Sequence, residues 1–335
     1  MKKKDPREAL RFPLFILLAA AVGMLFLLWG QSNAAATLYE LGFLRYRAAE
    51  QLAAVPEWAV TEEEQPGYDA SLAEGAAWAE AQSPVSGSFE TETAARWFGE
   101  SARLTLDYRF YDRGAEKTAV LLHGFAASEA DVLPWASHWW ERGWNVLIPE
   151  QRGYRDPSET NVVPTAWGVY EEFDLYDLIR AAGLTEETVI VHGKGTGAAA
   201  ALFLAANGEL ADAGLDGVAA ESPYATLGGL ERRLLKDLFK LGDWFVGRML
   251  RSRIRDQLGF LPDSVDLAAA AANAHLPVLL VCGEQKTLPG AEESRALYEA
   301  RAGEGRLLVI PGASYRALWC KGREEYGAAL EALFP

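Results

Sequence analysis

Short apolar runs recur along the chain from about residue 87, separated by stretches whose apolar positions fall at helical spacing. The strand candidates are 103–111, TAVLLH (118–123), NVLIP (145–149), TVIVH (188–192), GVAAE (217–221), PVLLVC (277–282) and RLLVIP (306–311). Amphipathic stretches lie between most of them, near 129–142, 168–182, 197–207, 291–301 and 322–333. Short buried strands alternating with helices predict an α/β domain over 86–335, with a mostly parallel sheet covered on both faces. The interval 225–272 is too long for one crossover and reads as several helices, an inserted helical cap. Ahead of the domain, 34–53 and 69–81 read as helical and are split by the stretch Pro56–Pro66. Residues 31–85 are therefore expected to form a stalk or brace.

One run differs from all the others. FPLFILLAAAVGMLFLLW (12–29) carries no charge over 18 residues, about the length that crosses ~30 Å of hydrocarbon. Residues 1–11 hold five basic and two acidic side chains, a net of +3. The expectation is a cytoplasmic tail (1–11), a transmembrane anchor (12–30) and a domain held outside the cell membrane. A cleaved signal peptide is the alternative, because SNAAA (32–36) supplies small residues. The apolar core exceeds the ~7–15 residues of such peptides, which favours the anchor. On either reading the domain is exported.

The formal charge of −15 becomes −18 once the basic tail is set aside. An acidic body repels phosphate backbones, so nucleic acid is excluded as a partner. Within the cap, 231–256 runs against this trend, with eight basic and four acidic residues. It reads as a solvated helix face, or as a face that leans on an anionic membrane or admits an acidic ligand. Cys282 and Cys320 make no disulfide framework; they read as unrelated thiols, with a bridge between their loops as the alternative. No cluster of metal-ligating residues stands out, and no cofactor is implied.

The segment VIVHGKGTGAAAA (189–201) is a strand, a glycine-dense turn and a helix start. Joints of this kind written Gly-x-Ser-x-Gly carry a catalytic nucleophile at their centre. Here the centre is Gly195. Four further motifs stand in order around it. VLLHGFAAS (120–128) resembles a His-Gly loop, and NVLIPEQRGYRDPS (145–158) is similar to an Asp-x-Arg-Gly-His-Gly-x-Ser stretch. PVLLVCGEQKT and LLVIPGASY are similar to the strand–loop segments that bear an acid and a histidine. Together they resemble the α/β-hydrolases, in particular the bacterial membrane-anchored, serine-aminopeptidase-like branch, over about 85–335.

The resemblance implies three triad positions, and each is replaced. The nucleophile position is Gly195, the acid position Lys286 and the histidine position Tyr315. Glycine cannot attack, a cation opposes an imidazolium, and a phenol of pKa ~10 is a poor base. The four histidines, His123, His138, His192 and His275, all precede the loop after the last strand. The oxyanion-hole equivalents are the backbone N–H groups of Phe125 and Thr196, donors that can outlast a lost nucleophile.

The expectation is a non-catalytic hydrolase-fold protein that binds an unidentified small molecule, peptide or protein in the former active-site cleft. Phe125, Tyr224, Lys286 and Tyr315 are expected to line it. An active esterase or peptidase built from displaced residues (Glu221, Ser222, Lys286) is one alternative. A scaffold whose cleft is filled by side chains is another. Dinucleotide binding is a third, since Gly193-x-Gly195-x-x-Ala198 also fits that fingerprint.

Overall fold

The computed structural model describes residues 30–43, 60–91, 103–125, 127–154, 163–241, 243–285 and 288–335. The expected span 12–29 lies outside the described residues, and among them no helix is long and apolar enough to cross a membrane.

Eight strands form one sheet: β1 (Val85–Thr91), β2 (Leu104–Tyr111), β3 (Lys117–Leu122), β4 (Asn145–Pro149), β5 (Thr188–Lys194), β6 (Leu215–Glu221), β7 (Val278–Gly283) and β8 (Gly305–Ile310). Their spatial order is β1-β2-β4-β3-β5-β6-β7-β8. The pairs β1–β2 and β2–β4 are antiparallel, and every pairing from β4 to β8 is parallel. Side-chain alternation sorts the central strands into two cores. Val120, Leu122, Val189, Val191, Val218 and Leu280 enter one, while Ala119, Leu121, Ile190, Ala219, Leu279 and Val281 enter the other.

The helices are α1 (30–43), α2 (Gln65–Ala81), α3 (Leu133–Glu141), α4 (Glu171–Ala181), α5 (Thr196–Ala206), α6 (Leu227–Arg233), α7 (Arg248–Leu258), α8 (Leu267–Ala271), α9 (Ala291–Ala300) and α10 (Leu318–Leu333). Helices α4, α5 and α9 cover the first core, and α3 and α10 the second. Helix α5 lies close to the sheet because Ala198, Ala199, Ala200 and Ala201 are fully buried and small. The cap is helical, from α6 through two π-helical turns (Leu234–Leu238, Asp243–Gly247) to α7 and α8.

Two departures from the sequence reading matter for the site. Strand β1, VSGSFET, is absent from the candidates above, because only Phe89 and Thr91 are buried on this outer strand. The two upstream helices also part company. Helix α2 braces the body, its Glu74 taking a two-pronged contact from Arg323 of α10 at 2.5 and 2.6 Å. Helix α1 instead lies against the cap, with Ala35, Leu38, Tyr39 and Phe43 buried on one face.

Candidate functional site

The glycine-rich turn is a sharp elbow between β5 and α5. Gly195 has φ 52° and ψ −106°, a combination that strains any residue bearing a Cβ. Its N–H donates to the Glu221 carbonyl at 2.8 Å, and its own carbonyl accepts from Ala199 N–H at 3.0 Å. Gly193 and Gly197 serve close packing. A Cβ on Gly193 would come 2.6 Å from Ala198 N, and one on Gly197 would come 2.6 Å from Leu122 Cβ.

The space above Gly195 belongs to Tyr315. A Cβ on Gly195 would overlap the Tyr315 hydroxyl oxygen, and one on Gly124 would come 2.9 Å from it. The phenol thus ends between the elbow and the His-Gly loop, and only 4% of the residue is exposed. The loop that carries it is pinned from the N-terminal side of the chain. Ser314 N–H donates to Glu64 Oε1 at 2.8 Å, and Thr61 Oγ1 donates to Glu64 Oε2 at 2.8 Å. Burial pushes the Glu64 carboxyl up, but donors from Ser314 and Thr61 outweigh it and hold the pKa below the usual carboxylate value.

Beneath the elbow runs a buried polar chain. Lys194 Nζ meets Glu221 Oε1 at 2.6 Å, with side chains 7% and 1% exposed, and sits 4.7 Å from the Tyr315 ring centroid. The Glu221 pKa is raised, because burial outweighs the Lys194 charge and the hydrogen bonds from Lys194 and Tyr326. Trp139 Nε1 donates to His192 Nδ1 at 3.2 Å, which leaves the ring proton on Nε2, 2.7 Å from Tyr326 Oη. Burial first, then the charges of His138 and Lys194, push His192 well below the usual histidine value. A neutral imidazole stacked 3.9 Å from the Trp135 ring is a structural link with no exposed surface.

The loop after β4 clamps the other side. Arg152 Nε and Nη2 contact the Asp174 carboxylate at 2.5 Å each, with the arginine side chain 1% exposed. The same loop sends Gln151 Nε2 to the His123 carbonyl (3.0 Å) and Tyr154 Oη to the Gly124 carbonyl (2.6 Å). Phe125, next in the His-Gly loop, stacks on Trp167 at 4.7 Å and 26°. Beyond this stack lies an apolar cavity of about 60 Å³, walled by Leu38 and Phe43 of α1 and by Leu234 and Leu250 of the cap. Among the described residues Glu231 is the one ionisable group on its wall. Burial raises its pKa to about 7 despite the opposing charge of Arg251.

Solved structures share this architecture. An esterase of Pyrococcus furiosus, Pf2001, superposes with a TM-score of 0.55 at 19% identity, over 76% of this chain and 93% of its own. Rv0554 from Mycobacterium tuberculosis gives 0.54 at 15% identity, over 74% and 98%. The fold is that of the α/β-hydrolases. Among curated proteins, the chain is 22% identical over 222 residues to the uncharacterized protein YqkD of Bacillus subtilis (strain 168), covering 65% of this chain and 71% of that one. No protein-family profile matches.

Within this α/β-hydrolase frame, Gly195, Thr196, Phe125 and Tyr315 converge at the elbow, whereas Lys286 lies outside the described residues. Tyr224 is buried behind Trp167 and donates to the Trp167 carbonyl at 2.6 Å, which places it behind the wall of the apolar cavity. Of the displaced candidates, Glu221 turns to Lys194, and Ser222 is buried with φ 48°. Cys282 and Cys320 are free thiols; Cys282 faces Ser294 of α9, while Cys320 Sγ donates to the Ala317 carbonyl on the other side of the sheet. Among the described residues no group of three or more His, Cys, Asp or Glu could hold a metal ion. The dinucleotide reading loses its glycines to packing and its turn to the Tyr315 phenol.

Lys194, Glu64, Trp167 and the role of α1 were not predicted as parts of the site. The only available signal was Lys194 inside the elbow motif, where a long cation at a buried strand end demands an anion.

Proposed function

We propose that this is a membrane-anchored, exported α/β-hydrolase-fold protein without hydrolytic activity, which binds an apolar ligand or an apolar segment of a partner beneath its cap. One observation carries the reading. The Tyr315 hydroxyl fills the volume in which a side chain at position 195 would begin. Acyl transfer needs an attacking oxygen at that point with a base beside it. Here a phenol stands there, close to a lysine already paired with Glu221. The binding surface is then displaced outward to the apolar cavity beyond Phe125 and Trp167.

The rival reading is an active hydrolase that uses displaced residues, and the esterase among the structural neighbours favours it. A fluorophosphonate probe and activated esters, applied to the detergent-solubilised full chain beside the Pyrococcus furiosus esterase, separate the two. The expected result is labelling of the esterase alone, with this protein retaining a cooperative thermal transition. Stoichiometric labelling of this protein would overturn the proposal.

A further inference from the structure

Helices α1 and α7 run side by side in the same direction. Phe43 and Leu258 both reach the segment 165–170, where Phe43 O accepts from Thr165 N–H at 3.0 Å and Leu258 O accepts from Tyr170 Oη. Midway along, Arg253 lies 5.8 Å from the Tyr39 ring centroid. Nine residues back from Tyr39 is Gly30, and nine residues back from Arg253 is Trp244. Nine residues of α-helix span about 13 Å, and the second step, which begins in a π-helical turn, is slightly shorter, so Trp244 stands about level with Gly30. Gly30 directly follows the apolar run 12–29, with no spacer between them.

Trp244 is 80% exposed, and Phe245 beside it is half-buried, their ring centroids 5.4 Å apart. Arg248 follows Trp244 by four residues and shares its helix face. The neighbouring turn brings Lys236 and Lys240, since Leu235 Cδ1 approaches within 3.1 Å of where a Cβ on Gly247 would sit. Elsewhere in the cap Arg232, Arg233, Arg251 and Arg255 are tied up in ion pairs. Lys236, Lys240 and Arg248 are exposed and make no ion pair among the described residues. Asp237 opposes them, whereas Asp243 is occupied by Arg251 at 2.6 Å, which leaves a local surplus of positive charge on an acidic protein.

We infer that the cap tip is a second membrane contact, in which Trp244 enters the headgroup interface while Lys236, Lys240 and Arg248 face anionic lipid. An amphipathic ring beside cations is the side-chain set that seats in that interface. The inference rests on the anchor reading, because a retained 12–29 span places the bilayer surface at Gly30.

The test uses the full chain reconstituted in vesicles whose acyl chains are brominated near the headgroup. The vesicles are either pure phosphatidylcholine or a three-to-one mixture with phosphatidylglycerol. Tryptophan quenching is compared between wild type, Trp244→Phe and the triple variant Lys236→Gln/Lys240→Gln/Arg248→Gln, with flotation confirming vesicle association. In the mixed vesicles wild type should lose more emission than Trp244→Phe. The triple variant, or removal of phosphatidylglycerol, should reduce that difference at least twofold. Equal quenching of wild type and Trp244→Phe in floating vesicles would overturn this inference and leave the anchor standing. A chain that fails to float would overturn both.

Discussion

The Tyr315 hydroxyl oxygen lies within overlap distance of the point where a β-carbon on Gly195 would stand, while the ring carbon bearing that oxygen lies 3.6 Å from the same point. The two residues should therefore be energetically coupled. Gly195→Ala brings a backbone penalty of about 1–3 kcal/mol from φ 52°, and steric overlap with the hydroxyl adds to it. In a Tyr315→Phe background the overlap disappears, because 3.6 Å is an ordinary carbon contact. Urea unfolding of the four proteins in one detergent should give a coupling of at least about 1 kcal/mol. Additivity within about 0.3–0.5 kcal/mol would show that the phenol does not sit over the elbow.

The Lys194–Glu221 pair makes a separate prediction. Both charges are buried, so removing one strands the other. Lys194→Met is expected to cost about 3–5 kcal/mol. The double replacement Lys194→Met/Glu221→Leu should recover most of that loss, since no isolated charge remains. Thermal unfolding in a common buffer checks both. A double variant no more stable than the single one would mean that the pair also organises the elbow through Tyr326 and His192.

Much of this architecture was legible in the sequence because buried parallel strands leave continuous apolar runs, and β3 to β8 each did. Strand β1 left none, since an outer strand with two buried residues keeps a polar surface. The elbow was legible from its glycines, and the absence of a serine from a single letter. What filled the serine's place was not, because Tyr315 reaches Gly195 across a separation of 120 residues that only the sheet order closes. Helix α1 was legible as a helix, with buried positions 35, 38, 39 and 43 at the expected spacing. Its partner was not, for an apolar stripe does not name the surface it covers. Glu64 carried no signal, one glutamate among several in a proline-flanked stretch.

Glu231 predicts a pH dependence of the cap. Its pKa stands near 7 in the folded protein against an ordinary 4.5, burial being the main cause. The folded chain thus keeps a proton that the unfolded chain releases as pH rises from 4.5 to 7. Its contribution is fully present below 4.5 and is lost as pH climbs through 7, to the extent of on the order of 3 kcal/mol. His138 acts in the opposite sense. Burial depresses its pKa to about 4, so its contribution is complete above 6.5 and falls away as pH drops towards 4. The measurement is therefore a difference. The stability of wild type relative to Glu231→Gln, followed by denaturant titration from pH 4 to pH 8, should decline with rising pH. A flat difference would mean that Glu231 titrates in the folded chain as it does in the unfolded one.

Glu64 offers the most direct way to loosen the elbow without touching it. Its carboxylate accepts the Ser314 N–H at 2.8 Å, one residue before the tyrosine, and is itself 4% exposed. Glu64→Gln keeps the shape but makes the bond to one partner neutral and turns an NH2 donor towards the other, a loss of about 1–2 kcal/mol. Because the Glu64 pKa lies below its ordinary 4.5 in the folded protein, that stabilisation is present above pH 4.5 and lost as pH falls through the depressed value. Hydrogen exchange at neutral pH should register the change at the Ser314 amide as about a tenfold fall in protection, with the β5 and β6 amides unaltered. At acidic pH wild type should converge on the variant. Unchanged protection at Ser314 would mean that the tyrosine loop is held by its own packing, and that the N-terminal segment merely rests against it.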